Sequence, residues 1–183
     1  MHVLRYLKGT RNLCIIYKRQ PSLVNIVGYS DADWGSDEND RISYTGYIFM
    51  VQGGPVTYTS HKQTTVANST MQSEYMALSD ASREAVARAQ FFQELNIPSM
   101  PVIILSDSET ALDLADGTTT NYRKSKHIDI RYHQVRHFIQ EGKVEVSHIA
   151  SEYQIADIFT KALGPQRHQF LVQHMGMRNS HDL

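Results

Sequence analysis

The chain has 183 residues, of which 41% are hydrophobic and 20% are charged, and its formal net charge is -1 at pH 7. This length fits one domain with a sizeable core, and no apolar run is long enough to cross a bilayer, so we expect no membrane partner. The single cysteine, Cys14, excludes a disulfide framework, and the near-neutral charge is compatible with a basic groove beside an acidic site.

The first 22 residues differ from the rest of the chain because they carry several basic side chains and no acidic one. Val3, Leu4 and Leu7 form a short helical stripe that ends at Gly9, and residues 13–17 have the pattern of a strand. We interpret this segment as the tail of a preceding domain. The predicted organisation is therefore a tail at 1–22, a main domain at 23–176 and a C-terminal tail at 177–183.

Strand and helix signals follow in chain order from residue 24. Residues 24–34 and 44–51 have strand patterns, and Gly53-Gly54-Pro55 predicts a hairpin turn into a third strand at 56–60. A capping box from Ser69 to Gln72 predicts the start of a long amphipathic helix over about 70–95.

The second half of the chain alternates strands with helices. Predicted strands cover 102–107 and 143–148, and predicted helices cover about 109–114, 126–140, 152–163 and 166–174. Three antiparallel strands, a helix and further strand–helix units are typical of an α/β fold with a mixed sheet flanked by helices.

Four carboxylates stand at places where a carboxylate is costly to bury. Asp31 and Asp107 lie at the ends of predicted strands, Glu74 lies on the apolar stripe of the long helix, and Asp157 lies near the start of a later helix. Buried carboxylates need to be paired, protonated or bound to cations. A cluster of hard oxygen ligands indicates a divalent-metal site that favours magnesium or manganese over zinc.

Each of these acids also has a purely structural explanation. Glu74 and Asp157 would complement a helix dipole from the first turn, the latter after a capping box from Ser151 to Gln154. Asp107 would serve as a helix N-cap. These alternatives stay open for each acid taken singly, whereas capping alone does not account for the whole set.

Histidine and basic side chains in the region 123–137 allow two further interpretations. His133 and His137 are spaced for chelation, but no third ligand has the spacing of a zinc motif. Arg123, Lys124, Lys126, Arg131 and Arg136 either line a phosphate backbone or form a solvated basic face.

Five ordered motifs resemble the ribonuclease H domain of copia-type (pseudoviral) retrotransposon polyproteins, and the resemblance covers about residues 24–176. The N-terminal residues 3–10 are similar to the end of the reverse transcriptase segment that precedes this domain, so the chain resembles an excised C-terminal piece. The motifs are Ser30–Trp34, Arg41–Tyr47, Ser69–Tyr75, Lys126–His133 and Gln154–Lys161.

The resemblance implies a ribonuclease H-like fold with a five-stranded mixed sheet, and an endonuclease that hydrolyses the RNA strand of RNA–DNA hybrids during reverse transcription. It places the metal-binding carboxylates on Asp31, Glu74, Asp107 and Asp157, which would hold two Mg²⁺ ions, with Mn²⁺ as a substitute. The implied partners are the hybrid and the reverse transcriptase portion of the same polyprotein. The implied location is cytoplasmic, within virus-like particles, and we expect the fragment to be monomeric.

The chain departs from the family pattern at three positions. Ser108 follows Asp107 where copia-type elements usually have asparagine, Gln72 replaces an acidic residue, and His148 lies nine rather than ten residues before Asp157. Auxiliary roles are expected for two histidines, His148 and His127. Expected substrate contacts are Ser73, Ser108, Lys124 and Lys126.

Two other functions compete with this interpretation. One is a catalytically inactive nucleic-acid-binding module that keeps the fold, although the presence of all four acids favours an enzyme. The other is an integrase or resolvase that acts on DNA, against which the copia-type motifs argue.

Overall fold

The computed structural model describes residues 2–19, 24–37, 39–97, 101–117 and 126–182, and only the backbone of 2, 126–129 and 182. Its helices and strands follow one another in the order predicted, apart from the segment 151–163 and a short strand near the C-terminus that was not predicted. The helices are α1 (His2–Thr10), α2 (Thr70–Glu94), α3 (Glu109–Asp116), α4 (Lys126–Gln140), α5 (Asp157–Thr160) and α6 (Pro165–His174). The strands are β1 (Leu13–Ile15), β2 (Ile26–Asp33), β3 (Tyr44–Val51), β4 (Gly54–Lys62), β5 (Val102–Ser106), β6 (Val144–His148) and β7 (Met177–Asn179).

Five strands form one mixed sheet in the order β4-β3-β2-β5-β6, which confirms the predicted fold class. β2, β3 and β4 pair antiparallel, whereas β5 pairs parallel with both β2 and β6. The register sets Val27 beside Ile103 and Tyr29 beside Leu105. Because parallel strands run in the same direction, β2 and β5 end at one edge of the sheet.

The two faces of the sheet carry separate hydrophobic clusters. Phe49 and Val51 of β3 join a core with the inner face of α2, α3 and α4, where Tyr75 and Leu78 are almost fully buried. Ile48 and Met50 point to the other face, where they pack against Leu171 and the rest of a cluster on α6. This alternation along β3 follows the two-residue period of a strand.

The hairpin between β3 and β4 turns one residue earlier than predicted. Gln52 and Gly53 form the two-residue turn, with positive φ angles of 55° and 81°. Gly54 and Pro55 already belong to β4. Proline is tolerated there because β4 is an edge strand and needs no second row of donors.

The predicted helix over 152–163 is wrong, because the chain instead forms a short 3₁₀ turn at Ser151–Tyr153 and the four-residue α5. Gln154 separates them. Its buried side-chain amide donates to the Ser30 carbonyl at 3.0 Å and accepts from the Ala156 N–H at 3.3 Å. These bonds tie the segment to β2 and replace the hydrogen bonds of a continuous helix.

The first segment pairs with the last one. β1 runs antiparallel to β7, with Cys14 opposite Arg178, and the Lys18 N–H donates to the Gln52 carbonyl at 2.8 Å. The predicted boundary at 22/23 lies outside the described residues, and the division into tails and a main domain stays a prediction. No helix in the described part of the chain has both the length and the apolar character needed to span a membrane.

Candidate metal centre

Three carboxylates meet where β2 and β5 end. Asp31 lies on β2, Asp107 follows the last residue of β5, and Glu74 reaches them from α2. One carboxylate oxygen of each lies within 4.8 Å of the others. Asp31 and Glu74 are buried and Asp107 is half-buried, so the cluster is reached from the side of Asp107.

Glu74 is held in place by the end of β2. The Ala32 N–H donates a hydrogen bond of 3.1 Å to Glu74 Oε2. Ser69 caps α2 by accepting from the Gln72 N–H, and Glu74 therefore lies beyond the first helical turn. Helix-dipole complementarity alone does not explain a buried glutamate that faces a strand end.

Burial and mutual repulsion make this cluster hard to ionise. Burial, followed by the charges of Asp31 and Asp107, raises the pKa of Glu74 to about 9, against an ordinary 4.5. Burial also raises the pKa of Asp31 to about 7, although Lys161 and a hydrogen bond from Thr160 act in the opposite direction. A group with a strongly perturbed pKa at a sheet edge is typical of a functional site.

The donor set fits a hard divalent cation. All three groups supply carboxylate oxygens, which Mg²⁺ and Mn²⁺ prefer, and no sulfur or imidazole ligand lies among them. A cation bound between the three groups would offset the repulsion that now raises the pKa of Glu74 and Asp31. The acidic cluster therefore supports a metal site, as the carboxylate pattern predicts.

Asp157 does not join this cluster in the described structure. Its Oδ1 lies 2.9 Å from Lys161 Nζ, and its Oδ2 lies 3.1 Å from an Arg167 guanidinium nitrogen. Asp157 begins α5 but has no capping bond there. The structure thus brings together three of the four predicted acids and holds the fourth in two ion pairs.

Lys161 links the fourth acid to the cluster. Its Nζ lies 3.4 Å from Asp31 Oδ1 as well as 2.9 Å from Asp157, and Thr160 donates a further hydrogen bond to Asp31. Burial lowers the pKa of the Lys161 ammonium, but the charge of Asp31 and the contacts with Asp157 outweigh it and raise that pKa. Lys161 thus acts as a fixed counter-ion beside the candidate metal ligands.

Asp107 is free of the capping role that was its structural alternative. Ser108 caps α3 instead, because its side chain accepts from the Ala111 N–H at 3.3 Å. Asp107 Oδ2 accepts from the Ser151 hydroxyl at 2.8 Å. The expected substrate contact at Ser108 therefore falls on a residue that already caps a helix.

The other predicted site residues lie in varied surroundings. Ser73 is fully buried and its hydroxyl donates to the Thr70 carbonyl at 2.8 Å, which removes it from any surface that a substrate touches. His148 is exposed at the end of β6, opposite Ser106. Lys124 lies outside the described residues. Lys126 and His127 begin α4, and their side chains also lie outside the description.

The sequence pattern did not predict the residues that hold the site's carboxylates in place. Lys161 had a detectable signal, because it follows Asp157 by four residues and such pairs face each other on a helix. Arg167 and Ser151 had none, since their contacts with Asp157 and Asp107 depend on how α6 and the 3₁₀ turn pack.

The chain aligns along almost its whole length with plant retroelement proteins. It is 32% identical over 178 residues to the retrovirus-related Pol polyprotein from transposon TNT 1-94 of Nicotiana tabacum, which covers 97% of this chain and 13% of that polyprotein. It is 34% identical over 176 residues to the Pol polyprotein from transposon RE1 of Arabidopsis thaliana, which covers 96% of this chain and 12% of the polyprotein. The chain thus spans only a small part of these curated relatives. No family model matches it.

Solved structures with the same fold are ribonucleases H. The N-terminal RNase H domain of Rv2228c from Mycobacterium tuberculosis superposes with a TM-score of 0.56 at 14% identity, over 82% of this chain and 97% of that one. LC11-RNase H1 in complex with an RNA/DNA hybrid gives 0.52 at 19% identity, over 74% and 94%. At these identities the likeness establishes the fold.

Proposed function

This chain is a relative of the retrovirus-related Pol polyproteins of plant transposons and has the ribonuclease H fold, and from this premise we propose that it hydrolyses the RNA strand of RNA–DNA hybrids. The observation that carries the proposal is the meeting of Asp31, Glu74 and Asp107 at the ends of β2 and β5. A solved neighbour with this fold is complexed with an RNA/DNA hybrid, which supports the same substrate class for this chain.

Asp31, Glu74 and Asp107 would hold Mg²⁺, with Mn²⁺ as a substitute. When bound, such ions supply a nucleophile from water at neutral pH and stabilise charge on the reacting phosphate. A two-ion site would also need Asp157, which requires it to exchange Lys161 or Arg167 for a cation. Two-ion catalysis is therefore the part of the proposal that depends on a rearrangement around α5.

The chain's own residues have defined tasks in this proposal. The Ala32 N–H orients Glu74, and the Ser151 hydroxyl orients Asp107. While the site holds no cation, the ammonium group of Lys161 compensates the negative charges of Asp31 and Asp157. These contacts fix the carboxylates before substrate arrives, which reduces the reorganisation needed at the reaction step.

The relatives also support a proposal for where this activity is used. Because the matched proteins are Pol polyproteins, we place the chain in reverse transcription, with the reverse transcriptase portion of the same polyprotein as its partner and virus-like particles in the cytoplasm as its location. The segment 1–22 would join the two activities, and the fragment itself would be a monomer.

A cleavage assay with a labelled RNA–DNA hybrid tests the activity. We expect Mg²⁺-dependent cutting of the RNA strand and little cutting of duplex DNA or single-stranded RNA. Asp107→Asn serves as the inactive reference, and Asp116→Asn, an exposed acid at the end of α3, serves as the matched control. Equal rates on hybrid and duplex DNA would overturn the proposed substrate.

A further inference from the structure

A cavity of about 360 Å³ lies immediately beyond the end of β2, lined by Trp34, Gly35, Arg41, Val66 and Ala67. Trp34 follows Asp33, the last residue of β2, and stands three residues after Asp31. At about 3.3 Å per residue this places it on the order of 10 Å from the candidate metal ligand. The cavity therefore lies beside the carboxylate cluster and outside it.

The walls of this cavity are fixed but exposed. The indole N–H of Trp34 donates to the Ala67 carbonyl at 3.1 Å, which sets the ring orientation, while half of the residue's surface stays accessible. Val66 is similarly exposed at 51%. The Gly35 N–H donates to the Ser43 hydroxyl at 3.1 Å and holds the loop against the sheet. An oriented aromatic face thus remains available to a ligand.

Arg41 adds a positive charge to the same cavity, and the described acids nearest to it in sequence are engaged elsewhere. The nearby acids Asp37 and Asp40 both bind Lys62 rather than Arg41. Arg41 is exposed, its backbone has a positive φ of 56°, and its N–H donates to the Asp37 carbonyl. Among the described residues its guanidinium makes no hydrogen bond or ion pair with any side chain. A guanidinium in that state is suited to a phosphate.

We propose that this cavity, which we call the Trp34 subsite, grips the sugar–phosphate backbone of the hybrid beside the cutting point. The indole packs against the apolar face of a sugar, and Arg41 pairs with a phosphate. In a duplex the base faces are already stacked on one another, so the sugar and the phosphate are what the surface offers to an exposed aromatic ring. At about 3.4 Å per nucleotide, the contacted nucleotide lies roughly three positions from the scissile phosphate.

This inference rests on the proposed function for its substrate, but its test does not require cleavage. Trp34 is the sole tryptophan of the chain, so intrinsic tryptophan fluorescence reports on this subsite alone. A short hybrid with a dye at one end is titrated against the protein in EDTA, and dye anisotropy and tryptophan emission are recorded together. We expect emission to change saturably with the same midpoint as the anisotropy.

Three variants distinguish specific binding at the Trp34 subsite from non-specific electrostatic attraction to the hybrid. Trp34→Ala should raise the Kd for hybrid about tenfold, because the indole loses the apolar surface that it buries against the sugar. Arg41→Gln should reduce the slope of log affinity against log salt by about one, as expected for the loss of one phosphate contact. Lys18→Gln removes the same charge near the hairpin at Gly53, at the opposite end of the sheet, and should change neither quantity.

Each outcome decides something different. Rising anisotropy without a change in tryptophan emission overturns the subsite, and so does equal weakening by Arg41→Gln and Lys18→Gln. In the cleavage assay Trp34→Ala should raise KM about tenfold and leave kcat nearly unchanged, because the lost sugar contact is made equally in the bound substrate and in the transition state. A saturable emission change in a protein that cuts no hybrid would uphold the subsite and contradict the proposed function.

Discussion

Burial raises the pKa of Glu74 to about 9 and that of Asp31 to about 7, so near neutral pH the metal-free protein holds Glu74 largely protonated and Asp31 about half protonated. Either bound protons or a bound cation can neutralise such groups, and both remove the cost of burying several negative charges together. Binding of a cation at this site would therefore displace protons. This link between protons and cations is the main residue-scale property of the molecule.

Stability of the metal-free protein should fall as pH rises. A carboxyl whose folded pKa exceeds its unfolded pKa binds protons more tightly when folded, so its stabilisation is present below pH 4 and is lost as pH rises through about 7 and about 9. Urea unfolding in EDTA from pH 5 to 9.5 measures this. Glu74→Gln should flatten the upper part of the profile, and a wild-type profile as flat as that of the variant would contradict the assignment.

Stabilisation by Mg²⁺ should have the opposite pH dependence. The cation binds the ionised carboxylates, so deprotonation of Glu74 at higher pH favours binding. We expect the rise in Tm on adding millimolar Mg²⁺ to be larger at pH 9 than at pH 6. The shift should disappear in Asp107→Asn and persist in Asp116→Asn. A Mg²⁺-induced rise in Tm that depends neither on pH nor on Asp107 would show that the ion binds elsewhere.

Loss of any one clustered carboxylate should abolish activity without unfolding the chain. Asp31→Asn, Glu74→Gln and Asp107→Asn keep the side-chain volume but remove a ligand, so hybrid cleavage should fall at least on the order of a hundredfold. The Tm in EDTA at pH 9 should be unchanged or higher, because each change removes a charge from a cluster that is largely ionised at that pH. Full activity of Asp107→Asn would exclude it from the site.

The acids of the cluster could be predicted from sequence because they lie at strand ends and on an apolar helix face, where fold class alone brings them together. The position of Asp157 outside this cluster could not be predicted from sequence. It depends on Arg167, which arrives from α6 ten residues later, and on Lys161, whose second contact with Asp31 crosses from α5 to β2. Such contacts follow from packing between elements that no local pattern specifies.

At the scale of elements, α5 packs closely against β3 beside the site. Gly46 of β3 lies directly beneath α5, and a Cβ there would meet Phe159 Cβ at 2.8 Å and the Ala156 carbonyl at 3.1 Å. α5 in turn carries Asp157 and Thr160 toward Asp31. The missing side chain at Gly46 is therefore what lets α5 lie close enough to reach Asp31.

Gly46→Ala should push α5 off the sheet. Overpacking of this kind costs about 1–3 kcal/mol of unfolding free energy, and it should also weaken cleavage by moving Thr160 and Lys161 away from Asp31. Urea unfolding and the hybrid assay measure the two effects. Gly9→Ala in α1 is the control, because among the described residues no side chain and no other element lies within 4 Å of a Cβ built there, so only the intrinsic helix preference changes. A Gly46→Ala protein as stable as wild type would show that α5 can shift without any loss of unfolding free energy.

Element prediction succeeded where the local signals were strong. β3 (Tyr44–Val51) and α4 (Lys126–Gln140) have the bounds predicted, because a run rich in aromatic and β-branched residues indicates a strand and Gly142 ends the helix. It failed over 152–163, where an apparently helical pattern is interrupted by the buried Gln154. A polar side chain that satisfies the backbone of another strand looks, in sequence, like an ordinary helix residue.

At the scale of the whole molecule, a net charge of -1 implies few phosphate contacts. We expect the chain to bind hybrid weakly, with a log–log salt slope that corresponds to roughly two to four contacts, one of them at Arg41. Within a polyprotein, an attached reverse transcriptase would keep the hybrid at high local concentration, so tight binding is not needed. Anisotropy titrations at several salt concentrations measure the slope. Nanomolar binding that persists at high salt would reveal a larger binding surface.

The central claim, that the cluster at the ends of β2 and β5 cuts RNA paired with DNA, is tested most directly by one gel assay. The fragment is incubated with an end-labelled RNA–DNA hybrid in Mg²⁺, beside its Asp107→Asn and Asp116→Asn variants. The account predicts internal cuts in the RNA strand for the wild type and Asp116→Asn, and none for Asp107→Asn or in EDTA. An intact RNA strand at high enzyme concentration, or cutting that survives Asp107→Asn, would contradict it.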